Sequence, residues 1–277
     1  MQTENGDPRT AGTPTIRSVQ HALRILKCFS FERPELGITE IAGELGLHKS
    51  TVHRIMATMA DEGFVERESS GRYTLGWRLF ELGEAVHSRW SSGKLARETL
   101  ETLVAQIGET AHLAVLDDSQ VLYIEKVESP RMLRMPSSVG RRDPAHCTAL
   151  GKVLLASLDE AALLSLIYGH PLVSLTPNTI TDPDQLREEV RRVREQGFAV
   201  DREEYEIGLM CVAAPILDDT GRTCGAISIA GPTSRIQDSL DKHVSAVREA
   251  CRVLSAQSGT SVRMLKEACS APASLEA

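Results

Sequence analysis

GITEIAGELGLHKSTVHRIMATMADEGFV, residues 37–65, decides the reading of this chain. Thr39 is placed to cap a short helix with Ile41, Ala42 and Leu45 facing inward, and Gly46 ends it. Ser50 or a neighbour opens the next helix, in which Val52, Ile55, Met56 and Met59 recur at the spacing of one helical face and which stops near Gly63. Two helices meeting across Gly46-Leu47-His48 make a helix-turn-helix, whose second helix offers its first residues to a DNA major groove while its opposite face packs. The buried stripe leaves Lys49, Ser50, Thr51, His53 and Arg54 outward. Arg54 carries the planar fork that suits the O6 and N7 of guanine. Ser50 and Thr51 have hydroxyls suited to phosphate.

Upstream, Val19, Ala22, Leu23, Ile25, Leu26 and Phe29 keep helical spacing behind Ser18 as an expected cap. Downstream, Phe64–Arg67 and Arg72–Leu75 flank Ser69-Ser70-Gly71, which reads as a β-hairpin, or wing. Arg72 in that wing, and Arg17 in the entering arm, are candidate backbone or minor-groove contacts. A helical stretch from Trp77 to Val86 then gives way to polar residues around 88–93.

The rest alternates strand and helix patterns. Ala111–Leu116 and Val121–Val127 form one expected hairpin around Asp117–Gln120, and Val212–Leu217 and Cys224–Ala230 form another around Asp218–Gly221. A helix is expected from Leu95 to Ile107 and an amphipathic one from Leu240 to Leu265. Antiparallel hairpins with segregated helices predict an α+β fold.

The chain has 277 residues, more than one core usually needs, with 42% hydrophobic and 25% charged side chains, so two globular domains are expected. A formal net charge of -7 does not exclude binding to a polyanion, because the 47–59 segment is locally basic and its first acid follows only at Asp61. No apolar run reaches the roughly 20 residues that cross a bilayer, and the first fifteen residues hold no apolar signal core, so a cytoplasmic location is expected. The six cysteines lack Cys-x-x-Cys or zinc-finger spacing and read as reduced thiols.

Several stretches together resemble the IclR family of transcriptional regulators. SVQHALRILKCF (18–29), the 37–65 segment and RYTLGWRLFELG (72–83) are similar to its DNA-binding domain. GETAHLAVLDDSQVLYIEKVES (108–129), SVGRRDPAHCTALGKVLLA (138–156), NTITDPDQL (178–186), VREQGFAVDREEYEIGLMCVAAPILD (193–218) and GAISIAGPTSRI (225–236) resemble its effector-binding domain, in the same order. The resemblance implies a winged helix-turn-helix joined by a linker helix to a GAF-like α/β domain. It also implies a homodimer or dimer of dimers on palindromic double-stranded operator DNA, with repression favoured over activation. The corresponding division is 1–15 disordered arm, 16–76 DNA-binding domain, 77–92 linker helix, 93–267 effector-binding domain and 268–277 disordered tail.

By motif match, the effector pocket would take Met135, Asp201, Cys211 and Ser228 together with the backbone of Thr148, Ala149 and Leu150. The start of the helix at Thr148–Leu150 favours a carboxylate. Asp201 would repel one, so it should accept from a hydroxyl or amine at the other end of a bifunctional metabolite. The chain departs from the family at His48, where Pro is common, and at Ala230, where some members carry a second Ser. The linker would transmit the signal, since an effector acts only by favouring one arrangement of the paired winged domains.

Other chemistries fit less well. A thiol enzyme would pair Cys147 or Cys211 with His146 or His112, yet His146 and Cys147 are sequence neighbours that would point apart on a strand. Gly151-Lys152 is followed by Val153 where a P-loop needs Ser or Thr. A metal held by His112, His146, Cys147 and Cys211 is not demanded by their spacing. No enzyme activity, cofactor or metal is expected.

Overall fold

The computed structural model describes residues 15–88, 93–132 and 137–256. The expected arm up to residue 14, the expected tail, the final turns of the 240–265 helix and Met135 therefore lie outside the described residues. The chain divides into two compact units, Met1–His87 and Ser88–Ala277.

In the first unit, α1 (Arg17–Leu26), α2 (Ile38–Leu45) and α3 (Lys49–Asp61) precede the hairpin β1 (Val65–Arg67) and β2 (Tyr73–Leu75), and α4 (Trp77–Ser88) follows it. Ile25, Leu36, Ile41, Val52, Met56, Val65 and Tyr73 form its core. Gly46 turns the chain between α2 and α3 in the left-handed region at φ 65, a conformation that costs glycine least. The hairpin pairs Val65 with Leu75 and Arg67 with Tyr73.

Two caps differ from expectation. α2 begins after Gly37, whose N–H donates to the Glu40 carboxylate at 2.7 Å, so Glu40 rather than Thr39 closes the helix start. α1 begins one residue before Ser18, with Ile16 in the cap position and no side-chain cap. Val19 and Leu23, members of the apolar pattern of α1, are exposed.

The second unit contains α5 (Gly93–Ile107), β3 (Thr110–Asp117), β4 (Gln120–Val127), β5 (Arg142–Pro144), α6 (Ala149–Leu155), α7 (Glu160–Gly169) and α8 (Pro183–Gln196). β6 (Ala199–Arg202), β7 (Leu209–Leu217), β8 (Thr223–Pro232), α9 (Thr233–Gln237) and α10 (Leu240–Ala256) complete it. Its six described strands form one antiparallel sheet in the order β5-β4-β3-β8-β7-β6. Both expected hairpins are present, and pairing of β3 with β8 joins them into the sheet.

Alternation along the strands divides the apolar side chains between the two faces. Leu113, Val115, Val212, Ile227 and Ile229 pack with α5 and α10. Ala114, Ala199, Ala213 and Ala226 face α6, α7 and α8. The small residues on the second face admit α6 closely. A Cβ at Gly151 would stand 2.0 Å from the Ala145 carbonyl oxygen, so glycine is required where α6 meets the 3-10 turn Ala145–Cys147. That turn replaces the strand on which His146 and Cys147 were expected. Among the described residues, no helix is long and apolar enough to cross a membrane.

Candidate nucleic-acid interface and effector pocket

On α3 the apolar stripe and the polar stripe separate as the sequence pattern requires. Val52, Met56 and Met59 are buried and Ile55 is half-buried against the core. Lys49, Ser50, His53 and Arg54 are exposed, and Thr51 is half-buried. Among the described residues neither Lys49 nor Arg54 has a carboxylate partner, so both charges face solvent unspent. Arg17 is likewise exposed at the first residue of α1.

Arg72 is placed differently from the sequence reading. Its Nη2 donates to Glu40 Oε2 at 2.9 Å and to the Glu35 carbonyl at 2.9 Å. The guanidinium therefore ties the wing to the start of α2 and is committed within the protein, which removes the reason for treating it as a free phosphate contact. The Gly37 N–H, and then Arg72, hold the Glu40 carboxyl below the usual carboxylate range.

In the second unit, Thr148, Ala149, Leu150, Asp201, Cys211 and Ser228 line one cavity. Met135 lies outside the described residues. The sheet register explains the gathering: Asp201 on β6 stands opposite Cys211 on β7, which stands opposite Ala230 on β8. Ser228, two residues along β8, stands opposite His112 on β3. The start of α6 lies across this face, with the Thr148 hydroxyl capping the helix by accepting from Gly151 N at 3.0 Å.

His112, Tyr123 and Tyr205 also line the cavity, and sequence reasoning did not place them there. Alternation along 110–117 puts residue 112 on the same face as 110 and 114, but pointing it at Ser228 needs the β3–β8 register. The cavity is about 10 Å³, room for about one water.

The polar lining is electrostatically distinctive. Asp201 is fully buried; its Oδ1 accepts from the Glu204 N–H at 2.7 Å, and its Oδ2 has no hydrogen-bond partner among the described residues. Burial, opposed by the Glu204 backbone N–H, pushes its carboxyl up to about 7. Burial, reinforced by Asp201, raises the Cys211 thiol well above the ordinary thiol range. His112 is held neutral, pushed down to about 3 by burial and by the charge of Lys126.

These groups do not make a nucleophile and base. Cys147 is pushed up to about 12, chiefly by burial, and the His146 Nε2 is turned to the Val173 carbonyl at 3.0 Å. Among the described residues, no three His, Cys, Asp or Glu side chains gather as a metal would need. Lys152, beside Gly151, is buried with its ammonium on Glu204, Val200 and Glu189, not free for a phosphate. Among the described residues of the 131–142 stretch, Arg131 is paired with Glu109, Arg141 with Asp143, and Arg142 with Asp117.

Comparison with known proteins adds to this geometry. Residues 18–69 match the IclR helix-turn-helix domain, and residues 86–256 match the model described as bacterial transcriptional regulator IclR C-terminal. The chain belongs to the IclR family. It is 39% identical to the HTH-type transcriptional regulator XynR of Escherichia coli over 226 residues, covering 81% of this chain and 90% of that protein. It is 32% identical to the Transcriptional repressor IclR of Escherichia coli over 229 residues, covering 82% and 84%.

A crystal structure of an IclR homologue from Microbacterium hydrocarbonoxydans, complexed with 4-hydroxybenzoate, matches with a TM-score of 0.75 at 26% identity, covering 89% of this chain and 99% of that one. The protein is thus a DNA-binding transcriptional regulator of the IclR type, with an α+β fold built from a winged helix-turn-helix and an IclR C-terminal domain. Its family is one of regulators and not of enzymes.

Proposed function

We propose that this IclR-family regulator is a cytoplasmic repressor that binds a palindromic operator as a homodimer, or as a dimer of dimers, and answers to a small organic acid. The observation that carries the DNA-binding mode is the outward basic face of α3, with Lys49 and Arg54 exposed and Val52 and Met56 buried beneath them. Lys49, Ser50, Thr51, His53 and Arg54 touch the duplex, and Arg17 reaches the backbone or minor groove. Arg72 shapes the wing instead of contacting phosphate. The assigned regions are 16–76 for DNA binding, 77–92 for the linker and 93–267 for the effector.

Self-association is supported by an apolar surface on the first unit. Trp77 is 72% exposed and Phe80 61% exposed, stacked edge-on with ring centroids 6.1 Å apart, and Val19 and Leu23 are exposed on α1. Large aromatic side chains left in water mark a contact surface. A two-fold pair of winged domains fits a palindrome.

The effector occupies the cavity lined by Thr148, Ala149, Leu150, Asp201, Cys211 and Ser228, and the motif match adds Met135 to its contacts. Support comes from the unpartnered Oδ2 of Asp201, which calls for a hydrogen-bonding partner such as a hydroxyl, and from 4-hydroxybenzoate in the Microbacterium homologue, a molecule with a carboxylate at one end and a hydroxyl at the other. Repression is supported by the likeness to the repressor IclR. The closed cavity gives the effector its leverage, because a ligand that fits only an opened pocket shifts the population toward that form.

Fluorescence anisotropy with DNA from the chain's own promoter region tests the reading. Nanomolar-class binding that weakens steeply with salt is expected, as counterion release requires. Salt-insensitive or absent binding would overturn it.

A further inference from the structure

The His112 ring lies on the pocket face of β3, opposite Ser228, and is 1% exposed. Its Nε2 is 2.7 Å from the Ser137 hydroxyl, and its edge-to-face contact with Tyr123, centroids 5.2 Å apart, fixes the ring plane. The Nδ1 has no partner among the described residues. A neutral imidazole carries one proton, so the Ser137 contact decides which nitrogen holds it.

If Nε2–H donated to Ser137, the buried serine proton would have no acceptor among the described residues, and the Nδ1 lone pair would be bare as well. If Ser137 donates to Nε2, the serine proton is satisfied and only Nδ1–H is left unpaired, on a ring that lines the cavity. Buried donors left unpaired are costly, so the second arrangement is favoured. Lys126 supports the placement of Ser137, since its ammonium donates to the Ser137 carbonyl.

We propose that His112 is a specificity-determining residue of the effector pocket, a neutral Nδ1–H donor, tautomer-locked by Ser137, that grips an anionic oxygen of the effector. The inference rests on the effector reading above and deepens it. It gives the ligand two recognised ends: an oxygen anion for His112, and a hydroxyl or amine for the open Oδ2 of Asp201 three strands away on β6. A neutral donor also suits this depth, because a buried imidazolium would carry a large desolvation cost. Burial does hold this ring neutral over the physiological range.

Two measurements test it. In protein carrying nitrogen-15 histidine, the His112 ring should show the Nδ1–H tautomer and keep it from pH 8 to pH 5, and Ser137→Ala should abolish the single tautomer. A wild-type Nε2–H ring overturns the proposal. The second measurement titrates full-length protein with glycolate, 3-hydroxypropanoate, 4-hydroxybutanoate and their methyl esters, read by thermal shift.

At least one acid should stabilise the wild type while its ester does not. That acid should bind about tenfold more weakly to His112→Phe, the loss of about one buried hydrogen bond. His112→Asn, whose amide can reach the Nδ1 position, should recover most of the loss. Operator affinity without ligand should be unchanged in all three variants, which separates a pocket role from misfolding. Unchanged acid affinity in His112→Phe overturns the inference. So does a wild type that ignores every acid in the series while still binding operator, a result that would leave the DNA-binding reading standing.

Discussion

Lys152 Nζ lies 2.6 Å from Glu204 Oε1, with the two side chains only 1% and 7% exposed. The ammonium has three protons and three acceptors, the others being the Val200 carbonyl at 2.7 Å and Glu189 at 3.0 Å. Glu204 in turn gives its backbone N–H to Asp201. One buried cation thus holds the strand end that aims the pocket carboxyl. Removing one partner of such a pair leaves an uncompensated buried charge and costs about 3–5 kcal/mol. Lys152→Met should lose stability on that scale in urea unfolding, and adding Glu204→Gln should restore part of it. A loss in the double variant equal to the sum of the two single losses would show that the two residues do not act together.

Arg54 stands exposed near the start of α3 with no side-chain partner among the described residues. Arg54→Ala should weaken operator binding by about 1–3 kcal/mol and relax base preference at one position per half-site. Competition binding against single-base operator variants reads this directly. A uniform loss across all sequences would instead make Arg54 a phosphate contact.

Lys49 and Arg72 should separate by salt dependence. Lys49→Ala should reduce the slope of log affinity against log salt by about 1 per half-site, as loss of a phosphate contact does. Arg72→Ala should leave that slope alone, because its charge is already met by Glu40. The pair is exposed to solvent, so its loss should change stability little. A reduced slope in Arg72→Ala would return that residue to the DNA surface.

What could be read from the sequence follows the range of the physics involved. The packed stripe of α3 and the two hairpins were legible because helical periodicity and turn chemistry act within a few residues. The caps of α1 and α2 were misread because several residues near each start can cap, and Glu40 reached back to Gly37 where Thr39 was expected. Edge strands β5 and β6 have three and four residues, too short to show alternation. The fate of Arg72 depends on a carboxylate 32 residues away. The place of His112 depends on pairing with Ser228 across more than a hundred residues, and nothing local announces either contact.

The apolar surface of the first unit should be needed for paired binding. Phe80→Glu combined with Leu23→Glu should leave the fold intact, since both side chains are exposed. Sedimentation equilibrium should then show weaker self-association, and binding to a full palindrome should fall toward that of a half-site. Unaltered association would place the dimer contact elsewhere.

Asp201 and His112 should tilt stability against pH in opposite directions. The Asp201 carboxyl is raised from 3.8 to about 7 in the folded chain, so between those values the unfolded chain gives up a proton that the folded chain keeps. Its contribution is fully present below about pH 4 and is lost as pH rises toward about 7. The His112 imidazole is lowered from 6.5 to about 3; its contribution is fully present above about pH 6.5 and is lost as pH falls toward about 3. Urea unfolding of wild type, Asp201→Asn and His112→Asn between pH 4.5 and 7.5 should therefore give two difference curves of opposite slope. The asparagine at 201 should gain on the wild type as pH rises, and the asparagine at 112 should gain as pH falls. A flat difference for Asp201→Asn would mean that water or a neighbouring donor reaches Oδ2 and keeps the carboxylate charged, and the demand for a donor on the effector would disappear with it.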